Sequence, residues 1–252
     1  AIFKASPLHK LTDEQQKAKD LIIEKIEKAL KNDEMSQLIF VEGEAGTGKT
    51  VLNSSTFYEL LCRYEEANEN KEDFKYEDLK CYLLVNHDEQ IIVYNQIVDK
   101  LGLTDKYGKL IYKPTHFINT HSIEEPVDIV FVDEAHLLWT QGKQSYKGKN
   151  QLEDILKRAK VVVVMFDEDQ ILTTEQYWED ELLEKYKNMA INNGNYIKLE
   201  NQHRMHANDD VIEWINAFTK EGIVNPLPDD LGKYDIRIFD TIEKLDKKIT
   251  RK

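Results

Sequence analysis

The sequence predicts an α/β fold in which a parallel sheet is flanked by helices. Several short apolar segments are typical of strands that a parallel sheet buries on both faces, at 38–41, 81–85, 127–132 and 161–165. Stretches with apolar residues at helical spacing precede and separate them, beginning with Ile22, Ile26 and Leu30. Strands that alternate with helices in this way indicate parallel α/β architecture.

Two further segments complete the predicted arrangement. Residues 117–122, Phe-Ile-Asn-Thr-His-Ser, are predicted to form a short strand that ends in polar groups, and 196–199 are predicted to form another. Between the last helix and that strand, the Asn-Asn-Gly-Asn segment at 192–195 is the best candidate for a linker, because Gly and Asn favour turns. We therefore predict two domains, at 1–195 and 196–252.

Residues 38–50 carry the strongest functional signal. An apolar run is followed by Gly-Glu-Ala-Gly-Thr-Gly-Lys-Thr at 43–50 and then by apolar residues at helical spacing. Glycines permit the backbone conformations that let successive N–H groups surround a phosphate at a helix N-terminus. This order of strand, loop and helix is that of a P-loop, so eight residues are predicted to bind ATP: Gly43, Glu44, Ala45, Gly46, Thr47, Gly48, Lys49 and Thr50.

Two residues of the predicted loop have distinct chemical roles. Lys49 would reach the β- and γ-phosphates with its ammonium group, and Thr50 would supply a hydroxyl ligand to Mg²⁺. Asp133 and Glu134 directly follow the predicted strand at 127–132. An acid at the end of a strand parallel to the P-loop strand can accept from Mg²⁺-bound water, and the next acid can activate the attacking water. We therefore assign the metal role to Asp133 and the general-base role to Glu134.

Two glutamines are candidate site residues. Gln15 lies in Leu-Thr-Asp-Glu-Gln at the start of the first predicted helix, where its paired donor and acceptor can read the adenine edge. A solvated glutamine at a helix start is the alternative for Gln15 if it stood alone. Gln170 follows the strand at 161–165 within Asp-Glu-Asp-Gln, where it can hold the lytic water or sense the γ-phosphate.

Composition limits the class of protein. Hydrophobic residues make up 41% of the chain and charged residues 32%, which is typical of a globular protein rather than a disordered or membrane protein. No apolar run approaches the about 20 residues that a bilayer span needs, so we expect a cytoplasmic protein. The net charge of −13 argues against a protein that coats nucleic acid, but it allows a narrow groove for one strand.

Taken together, these segments resemble the motif set of superfamily 1 helicases. Residues 43–50 and 133–136 are similar to the first and second motifs of that superfamily, and Gln15 resembles its adenine-reading glutamine. Residues 167–170 resemble its Gly-Asp-x-x-Gln motif, with a phenylalanine in place of the glycine. Thr120-His121-Ser122 resembles its strand-contacting motif, although a histidine alone is more often structural than a nucleic-acid contact.

The segment Gln-His-Arg-Met-His at 202–206 resembles the Gln-Tyr-Arg-Met-His segment that opens the second RecA-like domain of these helicases. This resemblance implies that Arg204 contacts the γ-phosphate. It also implies that His203 stands in place of the aromatic residue that packs on the nucleotide base.

The chain as a whole is most similar to the Schlafen group 3-like DNA/RNA helicase domain family, whose Asp-Ile-Arg-Ile-Phe-Asp pattern resembles residues 235–240. The resemblance implies a RecA-like P-loop NTPase fold, the beginning of a second RecA-like domain at 196–252, and binding of single-stranded DNA or RNA. Such helicases need two RecA-like domains, and about 55 residues are less than half of an ordinary domain. We expect a segment of a longer protein, with a degenerate member of the family as the alternative.

Two functions from different classes are compatible with these residues. The first is an ATP-dependent helicase or translocase core that hydrolyses ATP with Mg²⁺. The second is an ATP-gated conformational switch or interaction module without strand-separating activity, which the acidic charge and the missing part of the second domain favour. A P-loop kinase or another metabolic ATP enzyme is disfavoured, because nothing forms a second substrate pocket and Gln15, Gln170 and Arg204 would have no role.

Overall fold

The computed structural model describes residues 10–70, 79–140, 148, 150–170, 178, 180–200, 209–229, 231, 237 and 239–249. The chain divides into two compact units between positions 202 and 203. The first unit contains a six-stranded sheet with helices, and the described part of the second contains two helices.

The elements of the first unit follow one another as α1 (Asp13–Lys31), β1 (Gln37–Gly43), α2 (Lys49–Asn70), β2 (Cys81–Leu84), α3 (Asp88–Lys100), α4 (Leu103–Tyr107), β3 (Ile111–Tyr112), α5 (Pro114–Thr120), β4 (Val127–Val132), α6 (Gln151–Leu156), β5 (Ala159–Phe166), α7 (Asp180–Asn192) and β6 (Tyr196–Leu199). Single 3-10 turns follow β4 and β5, at Ala135–Leu137 and Glu168–Gln170. The second unit contains α8 (Asp209–Lys220) and α9 (Ile242–Ile249).

The sheet has the strand order β3-β2-β4-β5-β1-β6, and every neighbouring pair is parallel. The predicted α/β fold with a parallel sheet is therefore confirmed. Strand β1 lies between β5 and β6, and its partners in β5 run in register from Gln37 opposite Val161 to Glu42 opposite Phe166. This register brings the end of β1 and the end of β5 to the same level.

A hydrophobic core covers each face of the sheet. Side chains alternate along β1, so that Ile39 and Val41 belong to one core and Leu38 and Phe40 to the other. Helices α1, α2 and α3 contribute to the first core, and α5, α6 and α7 contribute to the second. The layers are therefore helix, sheet and helix, which explains why the central strands read as continuous apolar runs.

The predicted strand at 117–122 is wrong, because most of this segment belongs to helix α5. Pro114 occupies the first turn, where its fixed φ favours a helix and its missing N–H is not needed. The Phe117 N–H donates to the Lys113 carbonyl and the His121 N–H donates to the Phe117 carbonyl. The side chains of Phe117 and Ile118 are buried in the core that α5 covers.

The predicted domain boundary at 195/196 also differs from the structure. Strand β6 pairs with β1 in the first sheet, with Phe40 opposite Tyr196 and Gly43 opposite Leu199. The Asn-Asn-Gly-Asn segment is a turn between α7 and β6, in which Gly194 has a φ of 65°. A left-handed glycine often ends a helix, and linkers between domains are also rich in glycine and asparagine. The composition of this turn therefore fits either interpretation. Residues 234–239, whose sequence alternates in the way that predicts a strand, lie mostly outside the described residues.

None of the helices in the described ranges is both long and apolar enough to cross a bilayer.

A core substitution in β4 tests the placement of the sheet. Replacing the fully buried Ile129 with alanine should lower the free energy of unfolding by about 2–5 kcal/mol, because a cavity remains in the core. The matched substitution Ile123→Ala removes a side chain that is 56% exposed and should change it by less than about 0.5 kcal/mol. Urea unfolding of both variants measures the difference, and equal losses would contradict the burial of β4.

Candidate functional site

The loop between β1 and α2 has the geometry that the P-loop prediction requires. Gly46 and Gly48 have φ angles of 98° and 83°, which other residues rarely adopt. Inside the loop, the Thr47 hydroxyl donates to the Glu44 carbonyl at 3.0 Å. Helix α2 begins at Lys49 immediately after the loop, so its first N–H groups face the place where a phosphate would bind.

Gln15 connects helix α1 to this loop. Its Oε1 accepts from the Thr12 N–H at 3.0 Å in a capping box, and its Nε2 donates to the Thr47 carbonyl at 3.0 Å. The packing is close, since a Cβ on Gly48 would lie 2.1 Å from Gln15 Nε2. Gln15 is only 5% exposed, so the interpretation as a solvated glutamine is wrong. The structure places Gln15 against the loop, and its role in reading the adenine edge stays a prediction.

The Lys49 ammonium is surrounded by oxygen atoms at the carboxyl edge of the sheet. It donates to the carbonyls of Gly43 and Glu44 and to Asp167 Oδ2, at 2.5, 2.9 and 3.0 Å. The Lys49 and Asp167 side chains are 10% and 1% exposed. A charge buried to this extent requires a paired and hydrogen-bonded environment, so Asp167 neutralises Lys49 within the loop.

Asp133 lies at the end of β4 between two helices. The Thr50 hydroxyl of α2 is 3.4 Å from its Oδ1, and the Tyr94 hydroxyl of α3 donates to its Oδ2 at 3.1 Å. Burial, followed by the nearby charge of Glu134, raises the pKa of Asp133 to about 6. Burial and the Asp133 charge also raise the pKa of Tyr94, so its hydroxyl keeps the proton that it donates.

Glu134 has an unusual backbone conformation, with a φ of 52° and a ψ of 50°. A non-glycine residue in the left-handed region is uncommon, and such residues concentrate at functional sites. Its Oε2 accepts from Gln90 Nε2 at 3.2 Å, and His87 Nε2 lies 3.6 Å from the same oxygen. The two predicted acids therefore both contact α3 or the residue that precedes it.

Gln170 and His136 also lie near the loop lysine. Gln170 Nε2 donates to Asp167 Oδ2, the oxygen that accepts from Lys49. His136 is 2% exposed, and its Nδ1 has no hydrogen-bond partner among the described residues. Burial lowers the pKa of His136 to about 4, so the ring is neutral near pH 7.

The remaining predicted residues are Arg204, His203 and those of the segment at 120–122. Arg204 and His203 fall outside the described residues, so their predicted roles stay predictions. In the segment at 120–122, the His121 ring stacks on Phe117 with 4.2 Å between ring centroids, and its Nδ1 lies 3.0 Å from the Phe117 carbonyl. These contacts are typical of a structural histidine.

The oxygen atoms of Thr50 and Asp133 fit the preference of Mg²⁺ for hard ligands. No group of three His, Cys, Asp or Glu side chains within the described part of the chain could hold a metal ion. A Mg²⁺ ion at this place would therefore share its coordination with phosphates and water, as is usual for Mg²⁺ bound with a nucleotide.

The family model described as "Schlafen group 3, DNA/RNA helicase domain" matches residues 36–252. The chain belongs to this Schlafen group 3 helicase domain family. Membership and the parallel sheet together confirm the predicted RecA-like P-loop NTPase fold for the first unit. The site is thus a nucleotide-binding P-loop site.

The Schlafen group 3 domain has a curated relative in Saccharomyces cerevisiae, the uncharacterised protein YPL245W. The two are 30% identical over an alignment 237 residues long, and the match covers 88% of this chain and 51% of the relative. The chain therefore spans about half the length of the curated relative that it matches.

Solved structures that align with the Schlafen group 3 domain include domain III of the replication initiation protein DnaA from Thermotoga maritima, with 19% identity and a TM-score of 0.35 over 75% of this chain and 64% of that chain. Another is the ORC2 protein of Aeropyrum pernix, with 14% identity and a TM-score of 0.36 over 76% of this chain and 48% of that chain.

Three contacts of the Schlafen group 3 site were not predicted from the sequence. They are the hydrogen bonds from Tyr94 to Asp133 and from Gln90 to Glu134, and the ion pair of Lys49 with Asp167. A signal exists for Asp167, because it follows a strand in the same way as Asp133. For Gln90 and Tyr94 the signal is their spacing from His87, which places the three side chains on one side of the helix.

The hydrogen bond from Tyr94 to Asp133 can be tested without any assay of activity. Tyr94→Phe leaves a buried carboxyl oxygen without its donor, so it should lower the free energy of unfolding by about 1–3 kcal/mol. The control is Tyr58→Phe, because the buried Tyr58 hydroxyl has no hydrogen-bond partner within the described residues. This variant should be as stable as the parent in urea unfolding. A Tyr94→Phe variant that is equally stable would contradict the contact.

Proposed function

We propose that the chain binds ATP and Mg²⁺ and hydrolyses ATP as part of the motor core of a DNA or RNA helicase or translocase. The observation that carries this proposal is the convergence of Lys49, Thr50 and Asp133 at the carboxyl edge of one parallel sheet. This arrangement supports phosphate binding by the loop and metal binding beside it. Membership of a family described as a DNA/RNA helicase domain supports the motor role.

Five residues of the first unit, together with Lys49, would each have a separate role in binding and hydrolysing ATP. Lys49 would exchange its carbonyl partners in the loop for the β- and γ-phosphates, and Gln15 would hold the loop and read the adenine edge. Glu134 would accept a proton from the attacking water, and Gln170 would orient that water. A Mg²⁺ ion bound by Thr50 and Asp133 would neutralise negative charge on the phosphates.

The second domain would supply the remaining groups. Arg204 is proposed to contact the γ-phosphate and His203 to lie beside the base, both by resemblance to the helicase segment. The opening and closing of two RecA-like domains around ATP would alternately grip and release a single strand of DNA or RNA. The cytoplasm is the proposed compartment, from composition alone.

An ATP-gated switch that moves along no strand is the second candidate. The net charge of −13 favours it, because affinity for a nucleic-acid backbone depends on positive groups that neutralise phosphates. The two candidates share the same nucleotide site and differ in whether a strand changes the rate of ATP turnover.

Lys49→Ala and Glu134→Gln should fail at different steps. Without the loop ammonium, Lys49→Ala should lose nucleotide binding and therefore turnover. Glu134→Gln should keep ATP bound while turnover falls by about 10²- to 10⁴-fold, the range expected when a general base is removed. Equilibrium binding of a fluorescent ATP analogue and steady-state phosphate release measure the two steps. Lys31→Ala and Glu124→Gln, at exposed positions, serve as matched controls and should behave as the parent.

Strand stimulation separates the two candidate functions. ATP turnover should be measured for this chain and for a longer parent protein, each with and without single-stranded DNA and RNA. A motor core predicts that one kind of strand accelerates turnover by the parent, with a smaller effect on this chain. If no strand changes the rate of a parent that does hydrolyse ATP, the switch is the better account.

A further inference from the structure

One side of helix α3 faces the acid pair. His87 is the N-cap residue of α3, and Gln90 and Tyr94 follow it by three and seven positions. Residues at this spacing lie on the same side of a helix. Each of the three has an atom within 3.6 Å of Asp133 or Glu134, at 3.6, 3.2 and 3.1 Å in chain order.

The two acids contact this helix in different ways. Asp133 is 1% exposed and lies between α2 and α3, with one oxygen near Thr50 and the other accepting from Tyr94. These contacts hold it on both sides. The Glu134 side chain is 27% exposed, and it contacts Gln90 and His87 through one oxygen. Its carboxylate can therefore change position with less disturbance of the core than that of Asp133.

The strand order of the sheet shows where helix α3 and the P-loop lie relative to β4. Helix α3 follows β2, and β2 lies on the side of β4 opposite to β5 and β1. The P-loop follows β1, and the Asp167 partner of Lys49 follows β5. The hydrogen bond from Gln90 thus ties the Glu134 carboxylate to the helix that follows β2, whereas the loop follows β1.

Only one of the two polar atoms of the Gln90 side chain has a hydrogen-bond partner among the described residues. Its Nε2 donates to Glu134, whereas its Oε1 is buried without a hydrogen-bond partner among the described residues. Only the amide nitrogen can donate to a carboxylate, so the reverse orientation of the amide would place two acceptors against each other. Among the described residues, the hydrogen bond to Glu134 is therefore what fixes the orientation of the Gln90 amide.

We propose that Gln90 is a positioning residue that restrains Glu134 on the β2 side of β4, so that hydrolysis waits until this hydrogen bond breaks. The inference rests on the proposed role of Glu134 as general base. His87, whose side chain is 56% exposed, contacts the same Glu134 oxygen and lies at the surface turn before α3. A partner that engages this turn can therefore release the acid through a shift at the start of α3.

The test is basal ATP turnover of Gln90→Ala and Gln90→Glu in the longest available form of the protein, without any added strand. Both changes remove the donor, and Gln90→Glu keeps the side-chain length. Each should raise kcat by about tenfold, because a hydrogen bond to a carboxylate can favour one side-chain position by that factor, while the KM for ATP stays within about twofold. Gln96→Ala, an exposed glutamine on the same helix, is the matched control and should leave kcat unchanged.

A fall in kcat, or no change, in either Gln90 variant would overturn the restraint. Where the parent protein responds to a strand, the stimulated rate of the Gln90 variants should equal that of the parent, so that the ratio of stimulated to basal rates falls. A ratio that stays constant would also overturn the proposal.

A second measurement does not depend on activity. Gln90→Ala, Glu134→Ala and the double variant form a double-mutant cycle in urea unfolding. The contact predicts that the effects of the two changes on stability are not additive, and additive effects would overturn the restraint whatever the enzyme does. If the cycle shows coupling but the parent hydrolyses no faster than Lys49→Ala, the proposed function fails and the contact between Gln90 and Glu134 stands.

Discussion

The parallel register of β1 and β5 fixes the centre of the site. Because Glu42 is paired with Phe166, the residues that follow them in the chain, Gly43 and Asp167, emerge at the same level of the sheet. Lys49 donates to the Gly43 carbonyl and to the Asp167 carboxylate. A shift of β5 by one residue would send Asp167 to the opposite face and leave a buried ammonium without its counter-charge. The apolar pairing along the strands therefore determines the electrostatics at their ends.

The parts of the site that depend on this edge were predictable from the sequence. Strands buried on both faces appear in the sequence as apolar runs. The polar residues that follow these runs lie close together, because all strands of a parallel sheet end at one edge. The P-loop pattern predicted Lys49 and Thr50, the end of a strand predicted Asp133, and the structure brings the three side chains to this edge. Gln170 was also placed there, and its amide contacts the carboxylate that pairs with Lys49.

The contacts between side chains that are far apart in the sequence were not predictable. Tyr94 and Gln90 lie 39 and 44 positions from their partners, and helical spacing says nothing about which carboxylate a side chain reaches. Helix α5 was mistaken for a strand because its neighbour β3, the true edge strand, has only two residues and leaves no apolar run. The glycine turn at 192–195 has a composition that fits either a linker or the end of a helix, and only the pairing of β6 decides between them.

The contrast between the two acids follows from how each is enclosed. Asp133 accepts from a tyrosine and the Glu134 N–H and lies near the Thr50 hydroxyl, and these groups partly oppose the rise of its pKa that burial causes. Such an acid is fixed in place, which suits a metal ligand that must not move. Glu134 has a left-handed backbone and contacts groups that are themselves part-exposed, so its side chain is held by few interactions. Adjacent residues on one turn thus combine a rigid acid with a movable one, and the helix that touches both is the element through which the rest of the protein can reach the movable acid.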